Sequence, residues 1–315
     1  MSIEQASSHQ TSPHLFHIAL SFLALTFAVH AFSDWVTINP IFYIGLLTIS
    51  LLVFMVISVI YFIQLTKSLK AGFNQFKHSY RGHYSAFSMS LILAGLLIQP
   101  YFYELAWSFW AVGSTLQFFI TTYVVRGWLY YDHWKMTDMS PIWFLPLSGL
   151  LVIPLGIPEF ASLELGWMML SIGLIFWLIL FSLMLYRLFF HPLLSKKKQL
   201  SFFILATPPA LGFLSYVQLS QLESPDLVAR LLFYTSLFLS FLLLSQAKRF
   251  IDTPFCFDWW RIPLPFAFMT VASLTMFNLL NIPLFAYVAS LFLAILSFAV
   301  LYLSLRAFRR YKFLK

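Results

Sequence analysis

The sequence predicts an all-α polytopic membrane protein with ten transmembrane helices. Three observations carry that prediction. The chain of 315 residues is 61% hydrophobic, 20% aromatic and only 10% charged, a composition that belongs to the membrane class and not to a soluble domain. Its apolar residues fall in runs of about 20, the length that crosses a bilayer as a helix. Its basic residues gather on alternate loops, which is how membrane proteins mark their cytoplasmic side.

The elements follow in order. Residues 1–14, MSIEQASSHQTSPH, are polar and lack the basic start of a signal peptide, so they read as a short cytoplasmic tail. Spans one and two cover 15–32 and 41–66. The stretch 67–83, KSLKAGFNQFKHSYRGH, is polar and basic and reads as an interfacial helix or cytoplasmic loop. Spans three to ten cover 84–100, 104–127, 141–157, 162–189, 200–219, 226–247, 261–280 and 283–307. Residues 308–315 form a basic cytoplasmic tail, and 15–307 is the membrane domain. Gly95, Gly113, Gly149, Gly173 and Gly212 lie inside spans and allow close helix packing. Trp107, Trp128, Trp134, Trp143, Trp259 and Trp260 fall near span ends, as interfacial belts do.

Charge sets the orientation. Lys67, Lys70, Lys77, Arg81, Arg126, Lys135, Arg187, Lys196, Lys197, Lys198, Lys248, Arg249 and Arg261 follow the even spans, and the C-terminal end adds Arg306, Arg309, Arg310, Lys312 and Lys315. Arg230 is the one exception among nineteen basic residues. Asp34, Glu104, Glu159, Glu164, Glu223 and Asp226 mark the other face. Both termini are therefore predicted to be cytoplasmic. The net charge of +8 reflects this topology, and a basic inner mouth also concentrates anions.

The odd spans repeat a feature. Pro146 lies in the fifth, Pro208 and Pro209 in the seventh, Pro263 and Pro265 in the ninth, whereas the even spans carry no interior proline. Proline removes a backbone donor and kinks a helix. Such irregularity is tolerated at membrane depth inside a bundle or beside an aqueous cavity. The expectation is five helical hairpins around a central pore, with the odd helices innermost and kinked at these prolines. Ser21, Ser85, Ser88, Thr207 and Ser273 are hydroxyls on those helices that are candidates to line the path.

Absences narrow the function. No acidic residue lies deep in a span, where proton and cation pumps place their relays. His17 and His30 lie in the first span, His17 reading as a packing residue that also has a claim on the path, and no histidines show metal-ligand spacing. Cys256 is the one cysteine, so no internal disulfide forms. No nucleotide fingerprint or hydrolase triad appears. The reading is a non-enzyme without metal, cofactor or nucleic-acid partner.

Four segments resemble one family. MSPIWFLPLSGLLVIPLG (139–156) resembles its N-P-A-W-F-I-P-x-V-G-x-x-x-V-P segment. ELGWMMLSIGLIFWLILFSLMLYRLFFHPL (164–193) resembles the next span and its R-L-x-F-H-x-P-L end. FFILATPPALGFLSY (202–216) resembles I-x-x-A-P-P-A-V-G-F-x-S-Y, and FDWWRIPLPFAFMTVAS (257–273) resembles S-W-W-A-Y-T-F-P-x-A-A-x-T-x-A. These patterns are those of the tellurite-resistance/dicarboxylate transporter family, which includes the slow-type anion channels of guard cells and bacterial relatives.

The resemblance implies a homotrimer in the bacterial inner membrane, each subunit having its own pore within five inner and five outer helices. It implies passive conduction of small inorganic or organic anions past a phenylalanine plug in the ninth span. Anchored on Trp259 and Trp260, that plug falls on Leu264, and a shift of one or two residues would move it to Phe266 or Phe268. Both phenylalanines also read as packing residues. Leu20-Ser21-Phe22 departs from the family's M-G-L element, Ser85 stands where a proline is frequent, and Pro13 fits the entry proline. Two alternatives stay open: a secondary carrier of oxyanions or C4-dicarboxylates such as tellurite, sulfite or malate, and a non-conducting membrane scaffold.

Overall fold

The computed structural model describes residues 13–67, 81–130, 134–251 and 253–312. Most of the 1–14 tail, most of the 67–83 loop and the end of the C-terminal tail lie outside the described residues. Among the described residues every regular element is helical. Ten principal helices follow in chain order: α1 (Phe16–Ser33), α2 (Pro40–Lys67), α3 (Tyr84–Ile98), α4 (Tyr103–Tyr130), α5 (Leu145–Val152), α6 (Leu163–Phe190), α7 (Thr207–Ser220), α8 (Leu227–Ser245), α9 (Pro263–Leu280) and α10 (Pro283–Lys312).

Eight helical segments of the described chain are long and apolar enough to cross a membrane. The two that fall short are α3 and α4. Helix α3 has only 15 residues, and α4 dilutes its apolar run with Glu104, Ser108, Ser114, Gln117, Thr121, Thr122 and Arg126. The two nevertheless pack against each other along their lengths and complete a series of five hairpins.

Inner and outer helices separate by burial. The odd segments 16–33, 141–160, 196–220 and 257–280 are 61, 78, 83 and 72% buried, against 17, 33, 39 and 33% for the even segments 40–66, 163–190, 227–245 and 283–309. The even helices present Met55, Phe119, Ile175, Phe238 and Phe298 outward, an apolar surface that suits lipid and not water.

The inner helices form a closed ring. Helix α1 packs on α3, α3 on α5, α5 on α7, α7 on α9, and α9 returns to α1, while pairs across the ring make no comparable contact. Outer helices fill the outside grooves: α4 packs on α3 and α5, α6 on α5 and α7, and α10 on α9 and α1.

Each inner helix is entered through a 3-10 segment. These are Pro13–Leu15, Arg81–His83, Pro141–Phe144, Leu200–Ala206 and Phe257–Arg261. The prolines expected to kink the inner helices occupy the junctions instead. Pro146 lies in the first turn of α5, Pro208 and Pro209 in that of α7, and Pro263 and Pro265 in that of α9. The physical reason is that first-turn N–H groups have no intrahelical acceptor, so proline loses nothing there and its fixed φ suits the start. The far ends of α7 and α9 close on Gln221 and Asn281, both left-handed, which stops each helix at a hairpin turn.

At the start of α8, the Asp226 carboxylate accepts from the Ala229 amide at 2.9 Å and from the Tyr216 hydroxyl of α7. These donors hold its pKa below the usual carboxylate value. A depressed folded-state pKa contributes stability above the unfolded value, and that contribution is lost as pH falls through the folded one. Asp226→Ala is expected to cost about 1 kcal/mol at neutral pH. The difference between variant and wild-type melting in detergent should shrink below about pH 4.

Candidate functional site

A ring of helices defines two things, an axis and a mouth. Five lead-ins begin at one end of the ring, and all five contribute to one cavity of about 490 Å³. His14 comes from the lead-in to α1, Gly82 and His83 from that to α3, and Ile142 and Trp143 from that to α5. Ser201 comes from the lead-in to α7, and Asp258 and Arg261 from that to α9. Helix N-termini carry partial positive charge, and here five converge.

The side chains of the mouth form one network. The Arg261 guanidinium is 5% exposed and pairs with Asp258 at 2.6 Å. It donates through Nη1 to Ser201 Oγ, and its Nη2 lies 3.2 Å from His14 Nδ1. His14 Nδ1 is also 3.2 Å from Asp258 Oδ1. Its ring lies 3.9 Å from that of His83, and His83 Nδ1 is 3.0 Å from His17 Nε2. His17 is thus a buried residue satisfied by another histidine. Among the described residues no group of His, Cys, Asp and Glu is arranged to hold a metal ion.

Ser21, one turn above His17, donates to the Trp260 carbonyl at 2.8 Å. His17 and Ser21 therefore reach the lead-ins of both ring neighbours of α1, His83 before α3 and Trp260 before α9. That face of α1 thus ties together the lead-ins of α3 and α9.

The remaining hydroxyl candidates divide. Ser88 donates to the Gln117 Oε1 of α4. The Gln117 amide nitrogen donates to Pro146 O at 2.8 Å, to Thr121 Oγ1 at 3.1 Å and to Ser85 Oγ at 3.4 Å. Ser85 and Ser88 are thus engaged in the seam between α3, α4 and α5. The Thr207 and Ser273 hydroxyls are buried without a hydrogen-bond partner.

Leu264, Phe266 and Phe268 are all buried in the first turns of α9. Phe266 stacks on Phe292 of the outer helix α10 and meets Phe203 edge-on, so it points into the seam between layers. Phe268 lies beside Phe27 of α1, ring centroids 6.4 Å apart. Residues two apart on an α-helix point about 160° away from each other. Leu264, two before Phe266, therefore faces away from the outer layer.

The mouth network was not legible in the sequence. Arg261 read as one more loop cation and His83 as an interfacial residue. Arg187, also grouped with the loop cations, is 3% exposed in the last turn of α6. A local signal existed for Arg261: Asp258 stands three residues before it, at pairing distance on a helical start, and Pro263 follows two residues later.

Two comparisons bear on this arrangement. The family model described as SLAC1, voltage-dependent anion channel, matches residues 10–308. The S-type anion channel SLAH2 of Arabidopsis thaliana is 33% identical over 105 residues, which is 33% of this chain and 20% of that relative. The aligned region thus covers about a fifth of the relative's length.

Proposed function

The chain belongs to the SLAC1 voltage-dependent anion channel family, and from that premise we propose that it conducts small anions passively through the ring of α1, α3, α5, α7 and α9. The observation that carries the reading is the closed inner ring whose mouth gathers five helix N-termini and a buried arginine. Preorganised positive dipoles at a wide mouth draw anions in. A path without fixed charge deeper inside lets them leave again, as conduction requires.

Leu264 is the hydrophobic constriction in this proposal. It faces away from the layer that Phe266 touches, and an aliphatic side chain closes a narrow pore by excluding water. Ser21 and Thr207 supply hydroxyls to the path. The chain has ten spans, the mouth faces the cytoplasm with both termini, the membrane is a bacterial inner membrane, and three copies assemble with one pore each. The basic residues after the even spans support that orientation.

Proteoliposomes with a valinomycin-set potential test the function. Purified protein is expected to pass chloride and nitrate in proportion to voltage, with no demand for a proton gradient. Flux that appears only with an opposing proton or substrate gradient would identify a coupled carrier of oxyanions or dicarboxylates. Folded protein that passes nothing under either condition would identify a scaffold.

A further inference from the structure

Helix α4 ends with two different faces. Val124 and Trp128 turn to the mouth cavity, where Trp128 stacks on Trp143 with ring centroids 5.3 Å apart. Phe118, Thr122, Val125, Arg126, Leu129 and Tyr130 recur at three- and four-residue steps and share another face. That face borders two cavities outside the ring. The first, of about 410 Å³, is a groove between α4 and α6, both of which pack on α5. Ile172 and Phe176 of α6 form its far wall, and the buried Leu150 of α5 forms its floor. The second, of about 370 Å³, is framed by Tyr123, Arg126, Gly127 and Tyr130 at the end of α4.

Arg126 and Tyr130 border both cavities, so an apolar groove meets a polar one at a guanidinium and a phenol. Arg126 is exposed, and among the described residues no carboxylate pairs with it. A cation at the end of an apolar groove, on a surface suited to lipid, selects an amphiphile with a negative head. The depth agrees. Phe118 precedes Arg126 by eight residues, about 12 Å at the α-helical rise, and one leaflet's hydrocarbon is about 15 Å deep. Basic pockets between membrane helices hold anionic headgroups in this way. The C-terminal end of a helix disfavours an anion, so recognition falls on the Arg126 side chain and not on the backbone of α4.

We propose that the paired cavities bind one anionic glycerophospholipid, with its phosphate on Arg126 and one acyl chain in the groove between α4 and α6. The guanidinium donates two hydrogen bonds to phosphate oxygens, and the Tyr130 hydroxyl adds a third. A second copy of this chain would have to bring a carboxylate to Arg126, whereas a phospholipid carries its charge at the head of its own apolar chain. The bound lipid braces the end of α4 from outside, on a different face from the one that carries Trp128 to the mouth. Binding does not depend on conduction.

The test uses purified full-length protein, stripped of lipid in detergent. Dioleoylphosphatidylglycerol and dioleoylphosphatidylcholine are titrated separately, and native mass spectrometry counts lipids per subunit and reads the mass of the assembly. Wild type is expected to retain one phosphatidylglycerol per subunit, at a midpoint at least about five-fold below that of phosphatidylcholine. Arg126→Gln is expected to raise the phosphatidylglycerol midpoint by about the same factor, to that of phosphatidylcholine. Thr122→Trp fills the groove from an exposed position and is expected to raise both midpoints. Excess inorganic phosphate is expected to leave the lipid bound.

Equal midpoints for the two lipids in wild type overturn the site, as does an Arg126→Gln protein that titrates like wild type. Release of phosphatidylglycerol by inorganic phosphate would make this a site for free phosphate and overturn the lipid. A Thr122→Trp protein that separates into single subunits with its lipid count unchanged would assign the groove to a second copy of the chain. If one variant does not fold, the other decides alone, and unchanged midpoints in it overturn the proposal.

Discussion

Leu264→Ala is expected to raise voltage-driven chloride flux in proteoliposomes about ten-fold, the change that follows when a barrier falls by about 1.4 kcal/mol. The argument is local. Phe266 is stacked on Phe292 of the outer helix, and helical geometry then turns Leu264 to the opposite side of α9. Truncation to a methyl widens the constriction and lets water reach it. Phe266, on the opposite side of α9, serves as an internal control, whereas Phe268, one turn after Leu264, shares its side. Phe266→Ala removes a buried ring from contacts with Phe292 and Phe203, and its expected result is a stability loss of about 3–5 kcal/mol with no gain in flux. Phe268→Ala opens a hole beside Phe27 and should also lower the melting temperature. If Phe266→Ala or Phe268→Ala conducts more than wild type while Leu264→Ala does not, the constriction lies elsewhere on α9.

Gly149→Ala is expected to destabilise the seam between α3, α4 and α5. A Cβ at this position would fall on the side-chain amide of Gln117, inside van der Waals contact of its Cδ, Nε2 and Oε1. Gln117 is fully buried and cannot step aside without giving up its bonds to Ser88, Thr121 and Pro146 O. Overpacking and unsatisfied buried polar groups each cost about 1–3 kcal/mol, so a loss of about 3 kcal/mol is expected in thermal unfolding. The Gln117→Ala background makes the cause visible. There the amide is already gone, and adding Gly149→Ala should cost less than about 1 kcal/mol. Additive losses would mean that the two residues do not share this space.

Much of this architecture was readable in one dimension. Apolar length alone located the span-sized segments, because a helix in lipid must satisfy its own backbone and cover about 30 Å with apolar side chains. Proline placement marks three of the five odd helices, and burial sets four odd segments apart from four even ones. The role of those prolines is less legible. Their spacing predicts kinks, yet they open α5, α7 and α9 after 3-10 lead-ins. Sequence spacing cannot tell a kink inside a helix from a start within a longer apolar run. Ser85 and Ser88 show a similar limit. Their position on an inner helix was legible, whereas the direction of their hydroxyls depended on Gln117 from another helix.

The sequence by itself determined the membrane class, the family and the alternation of inner and outer helices, since each is written in local composition or in contiguous motifs. Only the tertiary structure decided the ring and its mouth. His14 and Arg261 are 247 residues apart in the chain and meet because α1 closes against α9. A cation that reads as one more marker of topology is a buried guanidinium paired with Asp258 at the mouth of the ring. Burial and pairing are properties of who the neighbours are, and in a ring built from both ends of the chain the decisive neighbours are the most distant in sequence.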